Sequence, residues 1–288
     1  MQTTQLSLED TLPLTCTRAG TCCHGNLVLL NPWELFSLAK EKKKTTREFR
    51  DFYTEFGGIK LRFDGKADSK GKAACSQYVD GFGCSVHLGR PMACRLFPIG
   101  RQIHNSEVQY IYQGAKFPCL DGCPDVVELP HLSVGEYLQG QETEHYEKAQ
   151  DAYLELMQNL ADMAFELFLD TGLAESGDTK TLSLWEAMGN EGPEFLANRI
   201  GHEWIDCLMV PEISEDCIDP MAFVQKHTEL LQTKAQEKFG ALNTNQEFHE
   251  ASVIIMGVAL HLAQGIGANR EGLAEHWCET AKGFLNDK

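Results

Sequence analysis

Two rhythms of apolar residues divide the chain. In the first, up to about residue 124, the runs are short. Asn26-Leu-Val-Leu-Leu30 predicts a buried strand. Asn31 reads as the cap of a helix with Pro32 at its first position and Glu34 in its first turn, ending at Lys42-Lys43-Lys44, where positive charge suits the carbonyl end. Thr45 with Glu48 predicts a capping box for a second helix, Arg47 to Phe56, stopped by Gly57-Gly58. Ile59-Lys-Leu-Arg-Phe63 alternates like a half-buried strand, and Asp64 to Lys72 is a polar loop. Ile99 to Ile103 and Val108 to Tyr112 predict a hairpin across His104-Asn-Ser-Glu107.

From Ser133 the spacing turns helical. Ser133 and Glu136 make a capping box, and Tyr146, Ala149, Tyr153, Leu156, Met157, Leu160 and Ala164 recur at helical intervals. Ser176-Gly-Asp178 marks a break. Pro193 opens a helix to about Met209 and Asp219-Pro220 one to Phe239. Thr244 with Glu247 caps one to Gly265, and Asn269 begins a last helix through Phe284. The expected architecture is α+β: a small cysteine-rich metal-binding domain at residues 1–124, followed by an all-α bundle of five or six helices at residues 130–288.

Charge divides in the same place. Residues 1–124 carry 16 Lys/Arg against 12 Asp/Glu and residues 125–288 carry 9 against 30, so the net −17 comes from the second part. That excludes broad nucleic-acid binding through the helical part. It leaves a self-repelling soluble face, or a face for a protein partner or protein substrate. The longest apolar stretch, Val253 to Ala263, is interrupted by Gly257 and His261 and is too short to span a bilayer, so no membrane contact is expected. Met1-Gln-Thr-Thr-Gln5 has neither a basic head nor an apolar run, and a cytoplasmic location is expected. Thiols stay reduced there, so clustered cysteines point to metal or catalysis rather than to disulfides.

Cys16, Cys22, Cys23, Cys75, Cys84, Cys94, Cys119 and Cys123 are eight of the eleven cysteines, a density that a metal would make safe. Cys119-Leu-Asp-Gly-Cys123 has the spacing of a zinc knuckle, with Gly122 for the turn. The adjacent Cys22 and Cys23 suit one tetrahedral ion poorly, because neighbouring side chains on extended backbone point apart. They suit two irons of a cluster better, so spacing leans toward iron–sulfur with zinc as the alternative. Cys207, Cys217 and Cys278 stand alone in the helical part and read as small buried hydrophobes.

Cys16-x5-Cys22-Cys23, Asn31-Pro-Trp-Glu-Leu35 and Cys84-x-Val-His-x-x-Arg-Pro-x-x-Cys94-Arg-x-Phe-Pro98 together resemble the YkgJ-type cysteine-cluster family, described as zinc- or iron-chelating. The flagellin lysine N-methylases, reported to carry a four-iron cluster, are similar around the cysteine pair and the Cys–Phe–Pro segment. The resemblance covers roughly residues 12–124. It implies a metal cofactor, a 4Fe–4S cluster or zinc, on those eight cysteines, and a redox or protein-modifying activity. The family commonly has a further cysteine three residues after the first. Here that position is Ala19, before Gly20, and His24 and His87 are the candidate replacements by position.

Arg90 and Arg95 beside the thiols would neutralise a thiolate cluster and donate hydrogen bonds to sulfur, or grip a substrate carboxylate or phosphate. Arg101 reads as an ordinary solvated arginine. Asp80-Gly-Phe-Gly83 lacks the dinucleotide fingerprint and reads as a turn delivering Cys84. No stretch offers a glycine loop for S-adenosylmethionine, which stands against a methyltransferase. His202 with Asp206, and Glu247, His249 and Glu250, are rich in ligand atoms but match no metal motif. Three functions compete: an iron–sulfur protein with a redox or protein-modifying role, a zinc-stabilised interaction module, and a protein that carries and releases metal.

Overall fold

The computed structural model describes residues 3–13, 20–104, 107–113, 131–169, 172–174, 179–214 and 219–286. Its first part holds strands β1 (Thr3–Leu6) and β2 (Thr11–Leu12), helices α1 (Pro32–Glu41) and α2 (Thr46–Tyr53), and strands β3 (Thr54–Glu55) and β4 (Lys60–Leu61). Strands β5 (Tyr78–Val79) and β6 (Gly83–Cys84), helix α3 (Met92–Leu96), and strands β7 (Ile99–His104) and β8 (Glu107–Gln113) follow. Strand β9 (Leu132–Ser133) leads into α4 (Val134–Gly140) and α5 (Glu144–Leu169). Helices α6 (Lys180–Asn190), α7 (Pro193–Ile200), α8 (His202–Met209), α9 (Pro220–Phe239), α10 (Asn245–Gly265) and α11 (Arg270–Asn286) complete the chain. Small antiparallel sheets come first and helices after, so the chain is α+β as its spacing predicts.

Local chemistry sets most boundaries. Asn31 Oδ1 accepts from Glu34 N–H at 2.9 Å, and Glu34 accepts from Asn31 N–H at 3.0 Å. Thr45 with Glu48, Ser133 with Glu136 and Thr244 with Glu247 make the same reciprocal pair, and Asp219 accepts from Ala222 N–H at 2.7 Å beside Pro220. Ser133→Ala should cost about 1 kcal/mol, read as a lower urea midpoint with an unchanged slope.

Where the fold departs from expectation, backbone geometry supplies the reason. The second helix stops at Tyr53, because Phe56 (φ 55) and Gly57 (φ 73) are left-handed. The helix opened by Pro193 breaks in two at Gly201, whose φ of 89 no helix can continue. The run 26–30 makes a single bridge, Leu29 to Lys60, rather than a full strand. The hairpin forms with Ile99 opposite Tyr112 and His104 opposite Glu107, its tip at residues 105–106 lying outside the described residues.

The chain falls into two compact units. One comprises Met1–Val28, Ser37–Tyr53 and Leu61–Glu147, the other Leu29–Phe36, Thr54–Lys60 and Lys148–Lys288. In the first, β1, β8 and β7 form an antiparallel sheet. Buried Leu96, Ile99, Val134, Tyr137 and Leu138 make one core cluster of this unit, with Leu6, Leu12, Met92, Tyr110 and Leu132 packed against it. In the second, α10 is buried on nearly every side from Ala251 to Gly265, which is why Val253 to Ala263 shows no polar face. Two early segments belong to this helical unit: Trp33 and Phe36 pack on Phe223 of α9, and Leu30 N–H donates to Ile59 C=O at 2.9 Å. No helix among the described residues is long and apolar enough to cross a membrane.

Candidate metal centre

Four short pieces of the first unit present its described thiols. Gly20, at φ 82, opens a 3-10 turn over Thr21–Cys23 that carries the adjacent pair, closed by Cys23 N–H donating to Gly20 C=O at 2.9 Å. A Cβ on Gly20 would lie 2.5 Å from the Tyr78 ring, so space and conformation both demand glycine. Cys75 is tied to this turn by its N–H, which donates to Cys23 C=O at 2.6 Å, while His24 bridges Ala74. The β5–β6 hairpin sets Cys84 opposite Tyr78, and Asp80-Gly-Phe82 form its tip, so the glycine-rich stretch is a turn. Pro91 then starts α3, where Cys94 N–H donates to Pro91 C=O at 3.0 Å.

Electrostatics ties the five described thiols together. The Cys23 thiol hydrogen-bonds Cys22 and holds it below the ordinary thiol value, with the Arg90 guanidinium helping and burial opposing. That bond pushes Cys23 up, reinforced by burial and by charge on Cys22, Cys84 and Cys94. Cys75 is pushed up to about 11, chiefly by burial, with Cys84 and Cys22 adding to it and Gln77 N–H opposing. That Gln77 N–H donates to Cys75 Sγ at 3.5 Å. Cys22 and Cys23 therefore do not point apart, because the 3-10 turn replaces the extended backbone on which that expectation rests.

The donor set suits a thiophilic ion. Five half-buried sulfurs whose thiolate forms repel one another gain from a cation among them. Gln77, 1% exposed, adds a buried Oε1 with no hydrogen-bond partner among the described residues. The basin is looser than a closed site, since among the described residues no three His, Cys, Asp or Glu side chains converge closely enough to hold an ion. Cys16, Cys119 and Cys123 lie outside the described residues.

The two arginines part company. Arg90 lies close enough to Cys22 to stabilise its thiolate, and Nη2 also donates to Gln141 Oε1 at 2.5 Å. Arg95, 3% exposed, turns to the protein instead. Its Nε donates to Arg90 C=O at 3.0 Å, Nη1 to Gln141 C=O at 2.6 Å, and Nη2 to Leu88 C=O and to Tyr146 Oη at 3.1 Å. The guanidinium also stacks on the Tyr146 ring, 4.2 Å from its centroid. So Arg95 clamps α3 to the chain around α4 rather than facing the thiols. Gln77, Gln141 and Tyr146 are the contributors that sequence reasoning missed, and only Tyr146 carried a signal, as a helical core residue.

Residues 15–113 match the family model CxxCxxCC, described as "Putative zinc- or iron-chelating domain". That match covers about a third of the chain. The chain therefore carries a metal-binding, cysteine-cluster segment of the kind that family is described by. No curated protein and no solved structure matches the chain. Measured against the pattern in that family's name, the matched segment reads Cys16-x-x-Ala19-x-x-Cys22-Cys23, one thiol short.

Outside the matched segment, the other ligand-rich stretches have structural uses. Glu247 caps Thr244, His249 Nδ1 sits 2.8 Å from Thr181 Oγ1, and His202 is exposed at the start of α8. Cys278 is buried with Sγ 3.4 Å from Leu182 C=O, and Cys217 lies outside the described residues.

Proposed function

We propose that the first part of the chain holds an iron–sulfur cluster on thiols drawn from Cys16, Cys22, Cys23, Cys75, Cys84, Cys94, Cys119 and Cys123, and uses it in a redox or protein-modifying reaction. One observation carries the reading: five described thiols already share one electrostatic environment, whereas a structural zinc takes four ligands. Arg90 supports it, since a guanidinium beside Cys22 offsets the negative charge of a thiolate cluster and raises its potential. In this reading residues 1–124 form the cofactor domain in the cytoplasm, and the acidic helices of residues 130–288 engage a protein partner or substrate. A zinc-stabilised module is the second reading, favoured by the Gln77 N–H···Sγ bond to Cys75, which suits a turn-held zinc thiolate equally well.

Protein purified without oxygen separates the two. Brown protein with iron and acid-labile sulfide supports the cluster, and colourless protein with stoichiometric zinc supports the module. Cys94→Ser should lose the metal and destabilise the first unit, because ligation energy is folding energy in such sites. Cys278→Ser should keep its metal at a packing cost of about 1 kcal/mol. Full metal content in Cys94→Ser would remove that cysteine from the ligand set.

A further inference from the structure

We propose that a groove in the helical unit, between α5 and α9, seats an amphipathic helix of a protein partner, apolar side inward and lysines or arginines along its flanks. This rests on the reading above that the acidic helices engage a protein partner. It adds where that partner lies and which chemistry it presents.

The groove encloses about 540 Å³. Its shape follows from one face of α9, where Gln232, Ala235, Gln236 and Phe239 are spaced by three and four residues and so share a stripe about two turns long. Ala235 is the smallest of the four and is buried, which leaves a trough reaching down to Ile255 of α10, 1% exposed. The Phe239 ring is held by stacking on Trp204, centroids 5.5 Å apart and planes at 3°. Opposite the stripe, α5 supplies Met163 and Leu167, one turn apart. Methionine is unbranched and polarisable, so this wall moulds to an incoming apolar group. A helix laid along such a trough enters it with anchors at i and i+3 or i+4.

Charge selects the occupant. Among the described residues that line the groove, Glu166 is the charged one, and it is exposed. Asp162, one turn earlier on α5, is exposed as well. The lysines in this part of α9 serve a different neighbour. Lys234 Nζ donates to Glu203 of α8, and the Lys238 charge acts on that same carboxylate. The rim is therefore acidic, in a part of the chain where residues 125–288 carry 9 Lys/Arg against 30 Asp/Glu. An acidic helix is repelled there and a neutral one gains nothing from Glu166. Lysines or arginines beside the apolar anchors gain both the ion pair and the attraction of the surrounding field.

The probe is a synthetic amphipathic helix of about 18 residues, long enough to hold helical structure, with leucines at i, i+3, i+4 and i+7 and lysines on both flanks. Its control keeps the leucines and carries glutamates in place of the lysines. Binding to the full-length protein is read by fluorescence anisotropy, and a benzophenone in place of one leucine marks where the peptide sits. The lysine peptide should bind about tenfold tighter than the glutamate peptide, or better, and cross-link to residues 163–167 and 232–240. Glu166→Lys combined with Gln236→Lys, both at exposed positions, should weaken the lysine peptide by about tenfold and tighten the glutamate peptide, with the circular dichroism of the protein unchanged. Cross-links elsewhere on the helical unit, or an affinity that the double variant leaves unaltered, overturn the groove and leave the partner reading standing. Equal affinity for the two peptides, or no binding of the lysine peptide, overturns the proposal. Iron, zinc and sulfide contents of the same protein judge the metal-holding reading independently.

Discussion

Acidification is expected to begin weakening the helical unit above the range in which carboxylates titrate, with stability falling from about pH 6.5 and the loss continuing to about pH 3. Two fully buried histidines are responsible. His227, held between Tyr153 Oη at 2.9 Å and Cys207 C=O at 3.0 Å, is pushed down to about 4 by burial, with the Cys207 bond opposing. His261 is pushed down to about 3, first by burial and then by the Arg270 charge, and neither ring nitrogen has a hydrogen-bond partner among the described residues. A depressed value means that the folded state binds a proton less readily than the unfolded chain does. The neutral rings therefore add no pH dependence above the unfolded value near 6.5, and below it protons pull the chain toward the unfolded state. The loss is complete near pH 4 for His227 and near pH 3 for His261. Each unit of separation is worth about 1.4 kcal/mol. Together the pair withdraws several kcal/mol from a total of about 5–15 kcal/mol. All four tryptophans, Trp33, Trp185, Trp204 and Trp277, are buried in this unit, so their fluorescence in urea titrations at pH 7, 5.5 and 4.5 reads the effect. His261→Leu removes the larger share and should flatten the profile while holding or raising stability at pH 7. An unchanged pH profile in that variant would remove His261 from the account.

What the sequence made legible was local. Asn31, Ser133, Asp219 and Thr244 announce helix starts because a cap and its partner lie three residues apart. The break at Gly201 was hidden, since a glycine in an apolar periodic run is tolerated in many helices and only its φ reveals the kink. Helix α6 was missed behind the Ser176-Gly-Asp178 break, although Leu182, Trp185 and Met188 keep helical spacing on its buried face. Membership of 29–36 and 54–60 in the helical unit depends on partners such as Phe223 and Gly265, far along the chain, and no nearest-neighbour pattern encodes that. At the site, the density of cysteines pointed to metal binding, in line with the zinc- or iron-chelating description of the matched family. The 3-10 turn under Cys22 and Cys23 required coordinates.

Replacing Arg95 with methionine should loosen the first unit more than any other single change outside its thiols. Arg95 is 3% exposed, and its guanidinium reaches three backbone carbonyls, of Leu88, Arg90 and Gln141, together with Tyr146 Oη. Methionine fills the volume but leaves those carbonyls without their donors, at about 1–3 kcal/mol for each that stays buried, and forfeits the stacking on Tyr146. A loss on the order of 4 kcal/mol or more follows, and the contact with Glu142 at 3.7 Å adds little because that carboxylate is 75% exposed. Lysine would restore the charge but not the planar fork that meets acceptors on several sides, so Arg95→Lys should fall nearer to methionine than to the parent. Hydrogen exchange followed by mass spectrometry localises the effect. Peptides spanning residues 88–96 and 134–146 should exchange faster in both variants, while those of α10 keep their protection. The same experiment decides what Arg95 is for. A side chain reserved for a substrate carboxylate or phosphate would leave exchange in the substrate-free protein unchanged on substitution, whereas a clamp loses protection with no ligand present.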